Sequence, residues 1–390
     1  MTTTIFTRMT ALALQTGAVN LGQGFPDEDG PAAVIDAAVA ALQAGHNQYA
    51  PLPGVPELRH AVAEHQRRHY GIELDPDREI QVTFGATEAI ASALLALLSP
   101  GDEVAMLDPS YDAYGALAAL AGAAARPIVL QPPDWRLTAE ALAAAITPHT
   151  RLLLINSPHN PTGRVLDEQE LELLAGACRE HDLLAVTDEV YEHLIYEGEH
   201  RPLAGQEGMA ERTLTVSSLG KTYAVTGWKV GWASGPAELV AELRAVKQFL
   251  TFAGGTPLQH AAASALALGA EEQCETLRAR RDRLAAGLAE AGFEVLPTQA
   301  TYFLNAHHPA EPDAEALCER LPHEAGVVAI PTSAFAADPA GPTRALVRFA
   351  FPKREAVLDT AIEGLKGWAA ATGGPPGDRP RRRDDLLTGA

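Results

Sequence analysis

The chain has 390 residues, of which 47% are hydrophobic, and a formal net charge of −20. This length suits one large domain and a smaller one, and the composition is that of a globular protein rather than a disordered chain. Such an acidic balance argues against nucleic acid as a partner, because neutralising phosphates requires clustered Lys and Arg.

The ends of the chain and its cysteines bear on where the protein works. The first residues are too polar for a secretory signal, and the longest uncharged run, near residues 248–270, is interrupted by glycines and a proline. It therefore does not predict a membrane span. Cys178, Cys274 and Cys318 are far apart and odd in number, which favours reduced thiols over disulfides or a metal site. We expect a cytoplasmic protein that binds neither membranes nor metals.

Short β-rich segments alternate with helical ones through the first 240 residues. The predicted strands are IQVTF (80–84), EVAML (103–107), RLLLIN (151–156), LLAVTD (183–188), TLTVS (213–217) and VGWAS (230–234). Several are almost continuously apolar, as expected when helices cover both faces of a mainly parallel sheet. The sequence predicts an α/β fold.

The pattern changes after about residue 240, where a long charged helix is followed by FEVLP, TYFLN and ALVRFAF, with helices between and after them. We predict a smaller α+β domain there. The predicted organisation is an N-terminal arm that is also part of the small domain (1–45), a large cofactor-binding domain (46–250), the small domain (251–371) and a disordered tail (372–390). The tail includes the cluster Arg381–Arg383 and is rich in Pro, Gly and charge.

Polar residues follow several of the predicted strands, at the sheet edge where α/β proteins bind ligands. Gly85, Ala86 and Thr87 follow the first strand and open a helix, which is typical of an anion site. Asn160 lies in the turn SPHNPTG after RLLLIN. Asp188 ends the next buried strand, where a carboxylate requires a cation, a metal or a protonated heterocycle.

The stretch SSLGKTYAVTGWKVGW (217–232) contains Lys221 in a Gly-Lys-Thr run. It is not a phosphate-binding P-loop, because that motif requires a glycine at position 215, which is Thr215. A lysine in a partly desolvated site has a lowered pKa and becomes nucleophilic. Together with an anion site and Asp188, Lys221 predicts covalent binding of pyridoxal 5′-phosphate (PLP), with the carboxylate opposite the ring nitrogen.

Motifs in the same order along nearly the whole chain resemble those of the class I aminotransferases of fold type I. They are VNLGQGFPDEDGP (19–31), NQYAPLPGVPELR (47–59), GATEAI (85–90), DPSYDAYGAL (108–117), NSPHNPTG (156–163), TDEVYEHL (187–194), the Lys221 stretch and VRFAFPK (347–353). The residues of these motifs are most similar to those of the branch of methionine, kynurenine and glutamine-type aminotransferases, and to those of actinobacterial proteins of the N-succinyldiaminopimelate aminotransferase type.

The resemblance implies a role for each residue around the cofactor ring. Lys221 would bind PLP covalently and move the proton, Asp188 would pair with the ring nitrogen, and Tyr111 would stack on the ring. Asn160 and Tyr191 would hydrogen-bond the 3′-oxygen. Catalysis would thus fall to Lys221, Asp188 and Tyr191.

The resemblance also implies how phosphate and substrate are bound. The phosphate would be held by Gly85, Ala86, Thr87, Ser218 and Lys229. Tyr49 would reach the phosphate of a neighbouring subunit, which implies a homodimer with shared active sites. Arg348 would bind the α-carboxylate of the substrate through two parallel hydrogen bonds, assisted by Asn160 and the backbone near Gly24.

The predicted activity is a ping-pong transfer of the amino group from an L-amino acid to a 2-oxo acid. We favour a neutral or aromatic side chain, because no second cation is evident for a distal carboxylate. Gly254 and Gly255 stand where kynurenine-type relatives have bulky residues, which favours a roomier pocket, and Phe25, Phe252 and Tyr302 are candidates for its wall. Alternatives are N-succinyldiaminopimelate as the amino donor, a PLP-dependent C–S β-lyase, and a non-enzymatic regulatory module.

Overall fold

A computed structural model describes residues 4–372. Apart from Thr372, the predicted disordered tail, including Arg381–Arg383, lies outside the described residues, and so do residues 1–3. Among residues 4–372 we find no helix whose length and hydropathy would let it cross a bilayer.

Helices account for much of the chain between residues 4 and 372. In chain order they are α1 (Ile5–Thr16), α2 (Ala32–Gln43), α3 (Pro56–Tyr70), α4 (Gly85–Leu97), α5 (Ala113–Leu120), α6 (Ala139–Ala145), α7 (Glu168–His181), α8 (Leu219–Thr222), α9 (Ala237–Leu250), α10 (Thr256–Ala265), α11 (Glu271–Glu290), α12 (Ala314–Glu324) and α13 (Glu355–Thr372).

The strands alternate with these helices. They are β1 (Val19–Asn20), β2 (Ile80–Thr83), β3 (Glu103–Asp108), β4 (Ala124–Val129), β5 (Thr150–Asn156), β6 (Leu184–Asp188), β7 (Thr213–Ser218), β8 (Gly231–Ser234), β9 (Glu294–Val295), β10 (Phe303–His307), β11 (Val327–Val328), β12 (Ile330–Pro331) and β13 (Leu346–Ala350).

A seven-stranded sheet has the order β2-β8-β7-β6-β5-β3-β4. The pairs from β7 through β4 are parallel, whereas β8 runs antiparallel to both of its neighbours. The prediction of a mainly parallel sheet in an α/β fold is therefore confirmed. The antiparallel strand lies near one edge, where β2 closes the sheet.

The apolar strands lie between two helical layers, as β5 illustrates. Leu152 and Leu154 face a cluster formed with α4 and α9, while Leu153 and Ile155 face the opposite cluster with α6 and α7. All four side chains are buried, and each such burial contributes about 1.5–3 kcal/mol to folding. Burial on both faces explains why β5 is continuously apolar instead of alternating.

Helix α7 shows how local sequence sets an element boundary. The Asp167 side chain accepts from the Glu170 amide, and the Glu170 carboxylate accepts from the Asp167 amide, which is a capping box. Glu170 is fully buried and also accepts from Arg164 at 2.7 Å. The charge is therefore paired, and the turn that follows β5 is held against the helix.

A second, smaller sheet has the order β12-β13-β10-β9, with β10 antiparallel to both β13 and β9. The N-terminal residues lie with this C-terminal part: α1 packs against α12, and Val19 of β1 pairs in parallel with Val327 of β11. Phe6 and Phe303 thereby come to the edge of the large sheet. The domain boundaries themselves stay a prediction.

Candidate active site

A cavity of about 360 Å³ lies between the carboxyl ends of the parallel strands and the smaller sheet. The register places Asn156 beside Asp188, the last residues of β5 and β6, and β7 ends at the neighbouring Ser218. Twelve of the predicted site residues line the cavity: Gly24, Gly85, Ala86, Thr87, Tyr111, Asn160, Asp188, Tyr191, Ser218, Lys221, Lys229 and Arg348.

Lys221 lies in the short helix α8, which begins directly after β7. Burial lowers the pKa of its amine to about 8, against the opposing effect of Asp188. The nitrogen Nζ lies 5.5 Å from the centre of the Tyr191 ring and 5.6 Å from that of Tyr302. The Tyr302 hydroxyl donates to the Lys221 carbonyl, and this hydrogen bond fixes the backbone at Lys221. A substantial fraction of this amine is neutral, and so nucleophilic, near pH 8.

Asp188 is buried at the end of β6 and faces the cavity. Its Oδ2 accepts from the Tyr114 hydroxyl at 2.7 Å, and Oδ1 accepts from the Val190 amide at 3.3 Å. Burial raises the pKa of the carboxyl above its ordinary value, although both hydrogen bonds and the nearby Lys221 lower it in part. A cationic group placed against Asp188 would recover the cost of burial.

Asn156 and Asn160 link the turn after β5 to the rest of the site. Asn156 Nδ2 donates to the Asp188 carbonyl at 2.7 Å, and its Oδ1 accepts from the Asn160 amide at 2.7 Å. Asn160 Oδ1 in turn accepts from Arg348 Nη1 at 2.9 Å. This chain of bonds positions the Asn160 side chain at the cavity.

The guanidinium of Arg348 is buried on β13 without a carboxylate partner among residues 4–372. Besides Asn160 it donates to the Gly22 carbonyl at 3.2 Å, while its Nε has no hydrogen-bond partner there. Its central carbon lies 3.9 Å from the Phe303 ring and 4.2 Å from the Phe335 ring. Burial lowers its pKa to about 9. A buried, underpaired cation at a cavity wall favours a carboxylate ligand.

The residues expected to bind phosphate form a tight turn. Gly85 is the first residue of α4 and has φ 78°, a conformation that favours glycine. A Cβ on Gly231 would lie 2.6 Å from the Gly85 carbonyl carbon, so the two backbones meet as only glycines allow. A Cβ on Gly85 itself would lie 3.1 Å from Lys229 Nζ. Helix amides and an ammonium group thus face one small space, which suits an anion.

The donor set fits PLP. The amides at the start of α4 with Lys229 and Ser218 suit its phosphate, and the buried carboxylate of Asp188 suits a protonated ring nitrogen. The Lys221 amine, whose pKa burial lowers to about 8, suits its aldehyde. Each group lies on the wall of the same cavity, so one molecule could contact all of them.

Tyr49 and two aromatic residues suggested for the pocket lie elsewhere. Tyr49 is 85% exposed, outside the cavity, with its ring edge-on to Phe252 at 5.8 Å. Its predicted reach to a neighbouring subunit stays a prediction. Phe25 is on the cavity wall, but Phe252 is not, and Tyr302 lies behind Lys221. Within one chain these two residues are therefore not part of the cavity wall, since Tyr302 contacts the Lys221 backbone and Phe252 packs against the exposed Tyr49.

Sequence reasoning missed several residues that the fold brings to the site. Tyr114, bonded to Asp188, could have been found from its spacing, since it lies one helical turn after Tyr111. Asn156 ends a predicted strand and so had a signal too. Phe6 and Phe303 had none, because they arrive with the smaller sheet.

A family model described as aminotransferase class I and II matches residues 16–365. The chain is 51% identical over 380 residues to a probable N-succinyldiaminopimelate aminotransferase of Mycobacterium tuberculosis, covering 93% of this chain and 95% of that protein. It is 42% identical over 370 residues to the methionine aminotransferase of Escherichia coli, covering the same two shares. The solved structure of N-succinyldiaminopimelate aminotransferase from M. tuberculosis superposes with a TM-score of 0.91, covering 94% of this chain and 97% of that one.

Proposed function

We propose that this chain, which belongs to the class I and II aminotransferases, uses as its amino donor an L-amino acid with a neutral or aromatic side chain. The chain is an aminotransferase of fold type I and uses PLP as its cofactor, as that family does. It moves the amino group to a 2-oxo acid. The donor's side chain and the role of each residue are the proposal.

The composition of the cavity wall supports this donor class. Three cations line it within residues 4–372, namely Lys221, Lys229 and Arg348. Two lie where the cofactor is expected and the third has the geometry for an α-carboxylate, so no further cation on this wall would meet a distal carboxylate. The wall includes instead Phe6, Phe25, Ile90, Tyr111 and Phe303. An uncharged side chain is therefore favoured there.

PLP supplies an aldehyde that accepts the amino group and a protonated ring that withdraws electrons from the substrate. In our proposal Lys221 Nζ is the base that removes the proton from the α-carbon, which its pKa of about 8 permits near neutral pH. The ionised Asp188 keeps the ring nitrogen protonated, and the Tyr114 hydroxyl holds that carboxylate in place. Tyr191 and Asn160 orient the ring, and Tyr111 covers its face.

Substrate and phosphate are bound at opposite ends of the cavity in this proposal. Arg348 binds the α-carboxylate with help from Asn160 and the backbone near Gly24. The phosphate-binding residues are Gly85, Ala86, Thr87, Ser218 and Lys229. Tyr49, exposed on one chain, completes the phosphate site of a partner, so the working form is a homodimer. The three cysteines are free, which supports a cytoplasmic location.

A second candidate donor is N-succinyldiaminopimelate, because a relative with that name in M. tuberculosis is 51% identical to this chain. That donor has a distal carboxylate, which the wall described above does not meet. A residue from a partner subunit would have to supply the cation. A neutral donor therefore requires an uncharged wall at this end of the cavity, whereas N-succinyldiaminopimelate requires a cation there.

A panel of amino donors against several 2-oxo acids tests the proposal through product identity. We expect methionine and phenylalanine to be used with a higher kcat/KM than aspartate. Faster turnover of aspartate would contradict a neutral pocket, and N-succinyldiaminopimelate as the best donor would establish the second candidate. Release of pyruvate and ammonia from a cysteine conjugate, in place of a pyridoxamine form of the cofactor, would identify a C–S β-lyase instead.

A further inference from the structure

A second cavity, of about 300 Å³, lies behind the active site. Its wall includes Tyr223, two residues after Lys221, and His193, two residues after Tyr191. The same two segments therefore border both cavities. His65 and His69 of α3 complete this part of the wall.

His65, His69 and His193 form a compact triangle. Their ring centres are 4.7, 4.8 and 4.8 Å apart, and one nitrogen from each ring lies within 4.8 Å of the others. His65 Nε2 and His193 Nε2 are 2.6 Å apart. We did not predict this cluster from the sequence, because 128 residues separate His65 from His193.

The spacing of His65 and His69 is that of two metal ligands on one helix. Residues four apart lie on the same face, as the two histidines of the HExxH zinc motif do. Here the segment reads HQRRH, and the third histidine comes from the loop after β6. Three imidazoles from two elements are a frequent ligand set for zinc.

Burial favours the neutral form of the histidines, and charged groups of both signs, namely Glu192, Glu271 and Arg68, act on them. Burial lowers the pKa of His65 to about 4 and lowers those of His69 and His193. Arg278 pairs with Glu275 at 3.4 Å, and Arg68 is engaged with the Leu266 carbonyl at 3.0 Å. Among residues 4–372, the buried nitrogen His65 Nδ1 has no hydrogen-bond partner. Within the same part of the chain, the two Nε2 atoms of His65 and His193 are bonded only to each other, and a metal ion between them would replace that one hydrogen bond.

We propose that His65, His69 and His193 bind a divalent transition metal of the Zn²⁺ class, with the fourth position open to the second cavity. Zinc–nitrogen bonds of about 2.0–2.1 Å in a tetrahedron place two nitrogens about 3.3 Å apart. His65 and His193 must therefore separate by about 0.7 Å, and His69, which is exposed, must swing inward. Nitrogen ligands argue against Mg²⁺ and Ca²⁺, which bind oxygen.

A metal here would tie α3 to the loop that contains Tyr191. In our proposal the metal takes no part in transamination, because the histidines line a different cavity from the one that contains Lys221. Binding to the folded state alone would stabilise the protein in proportion to metal concentration. The proposal does not depend on which amino acid the enzyme uses.

The test is calorimetric titration of the tag-free, chelator-treated holoenzyme with Zn²⁺ alone, with the wild type compared with His69→Gln and His149→Gln. His69 and His149 are both exposed, so neither change is expected to disturb folding. We expect about one tight site per chain, weakened at least about tenfold in His69→Gln and unchanged in His149→Gln. Equal affinity in the wild type and His69→Gln would overturn the proposal, as would equal losses in both variants.

X-ray absorption at the zinc edge provides an independent readout on the wild-type complex. Three imidazoles around the ion, with a rise in melting temperature that His193→Gln abolishes, would support the site. One imidazole or none would overturn it.

Discussion

Asp188 and Glu192 lie four residues apart, both buried, and each accepts a tyrosine hydroxyl at 2.7 Å, from Tyr114 and Tyr70 respectively. Asp188 faces the active-site cavity, and burial raises its pKa. Burial also raises the pKa of Glu192, but His65 and His193, once protonated at low pH, and the hydroxyls of Ser217 and Tyr70 lower that pKa more, so it ends below its ordinary value.

One segment of the chain therefore contributes both to the ligand site and to the stability of the fold. The carboxylate of Asp188 on the cavity wall is left short of positive partners, and the Arg348 cation on the same wall has no carboxylate partner among residues 4–372. On the other side, Glu192 accepts from the hydroxyls of Tyr70 and Ser217, and Glu189 is paired with His200 at 2.7 Å. Unpaired buried charge marks the side prepared for a ligand, whereas paired charge marks the side that holds the fold.

The largest effect is expected on the cavity side, from Lys221→Ala. Removing the amine should abolish the borohydride-reducible link to the cofactor and lower kcat by at least about 10⁴-fold. The fold should persist, since the change removes a buried basic group instead of a packed apolar one. Activity and melting temperature measure the two outcomes. Lys366→Ala, on the surface, is the control, and turnover by Lys221→Ala near the wild-type rate would contradict the role.

Asp188→Asn should retain PLP and lower kcat by about 10²–10³-fold, as is usual when one preorganised electrostatic contact is lost. An amide does not keep the ring nitrogen protonated, so the cofactor's absorption spectrum should change as well. Steady-state kinetics and the visible spectrum provide the measurement. Asp134→Asn removes an exposed carboxylate and should change neither. A wild-type kcat in Asp188→Asn would contradict the role proposed for Asp188 at the ring nitrogen.

On the other side, His200→Ala should lower the free energy of unfolding by about 3 kcal/mol or more, because it leaves Glu189 buried and unpaired. Its effect on kcat should be far smaller than that of Asp188→Asn. Burial lowers the pKa of His200, but Glu189 raises it more, so the folded-state value is above the ordinary one.

This pair therefore stabilises the protein fully below the ordinary histidine pKa, and its contribution is lost as pH rises through the raised folded-state value. Denaturant unfolding at several pH values should show the gap between wild type and His200→Ala closing as pH increases. Glu189→Gln, which removes the charge but keeps a hydrogen bond, should cost less. A gap that widens with pH would contradict the pairing.

The smallest effects are expected when each of the two tyrosines is replaced by phenylalanine. Tyr114→Phe removes a hydrogen bond to a charged group, and we expect kcat to fall by about tenfold. In the wild type the Tyr114 hydrogen bond lowers the pKa of Asp188. Its loss should raise that pKa, so the acid limb of the pH–rate profile should move to higher pH. Tyr70→Phe should instead lower stability by about 1–3 kcal/mol and leave that limb in place. The same shift in both variants would refute the distinction.

The sequence predicted the sheet and most of the cavity because both depend on local signals. Runs such as RLLLIN predict a strand buried on both faces, and a polar residue at its end predicts a ligand-binding edge. The smaller sheet was harder: β1 has two residues, too few for any periodicity. Tyr114 looked like an ordinary residue of an apolar helix until its hydroxyl was seen on Asp188.

Long-range contacts account for what the sequence did not predict. The burial of Arg348 depends on Phe303 and Phe335, whose rings stack on it from other elements. The histidine triangle depends on α3 packing beside the loop after β6. Such neighbours are set by tertiary packing, and no pattern within one segment encodes them.

The pairing of Val19 with Val327 has a consequence for synthesis on the ribosome. The first strand emerges early, yet its partner is made about 300 residues later, or on the order of 15–60 s at typical translation rates. The large sheet can assemble during that interval, while Phe6 is still without the smaller sheet and Arg348 has not yet been made. If Arg348 binds the substrate carboxylate as we propose, the nascent chain acquires that binding site only near the end of translation.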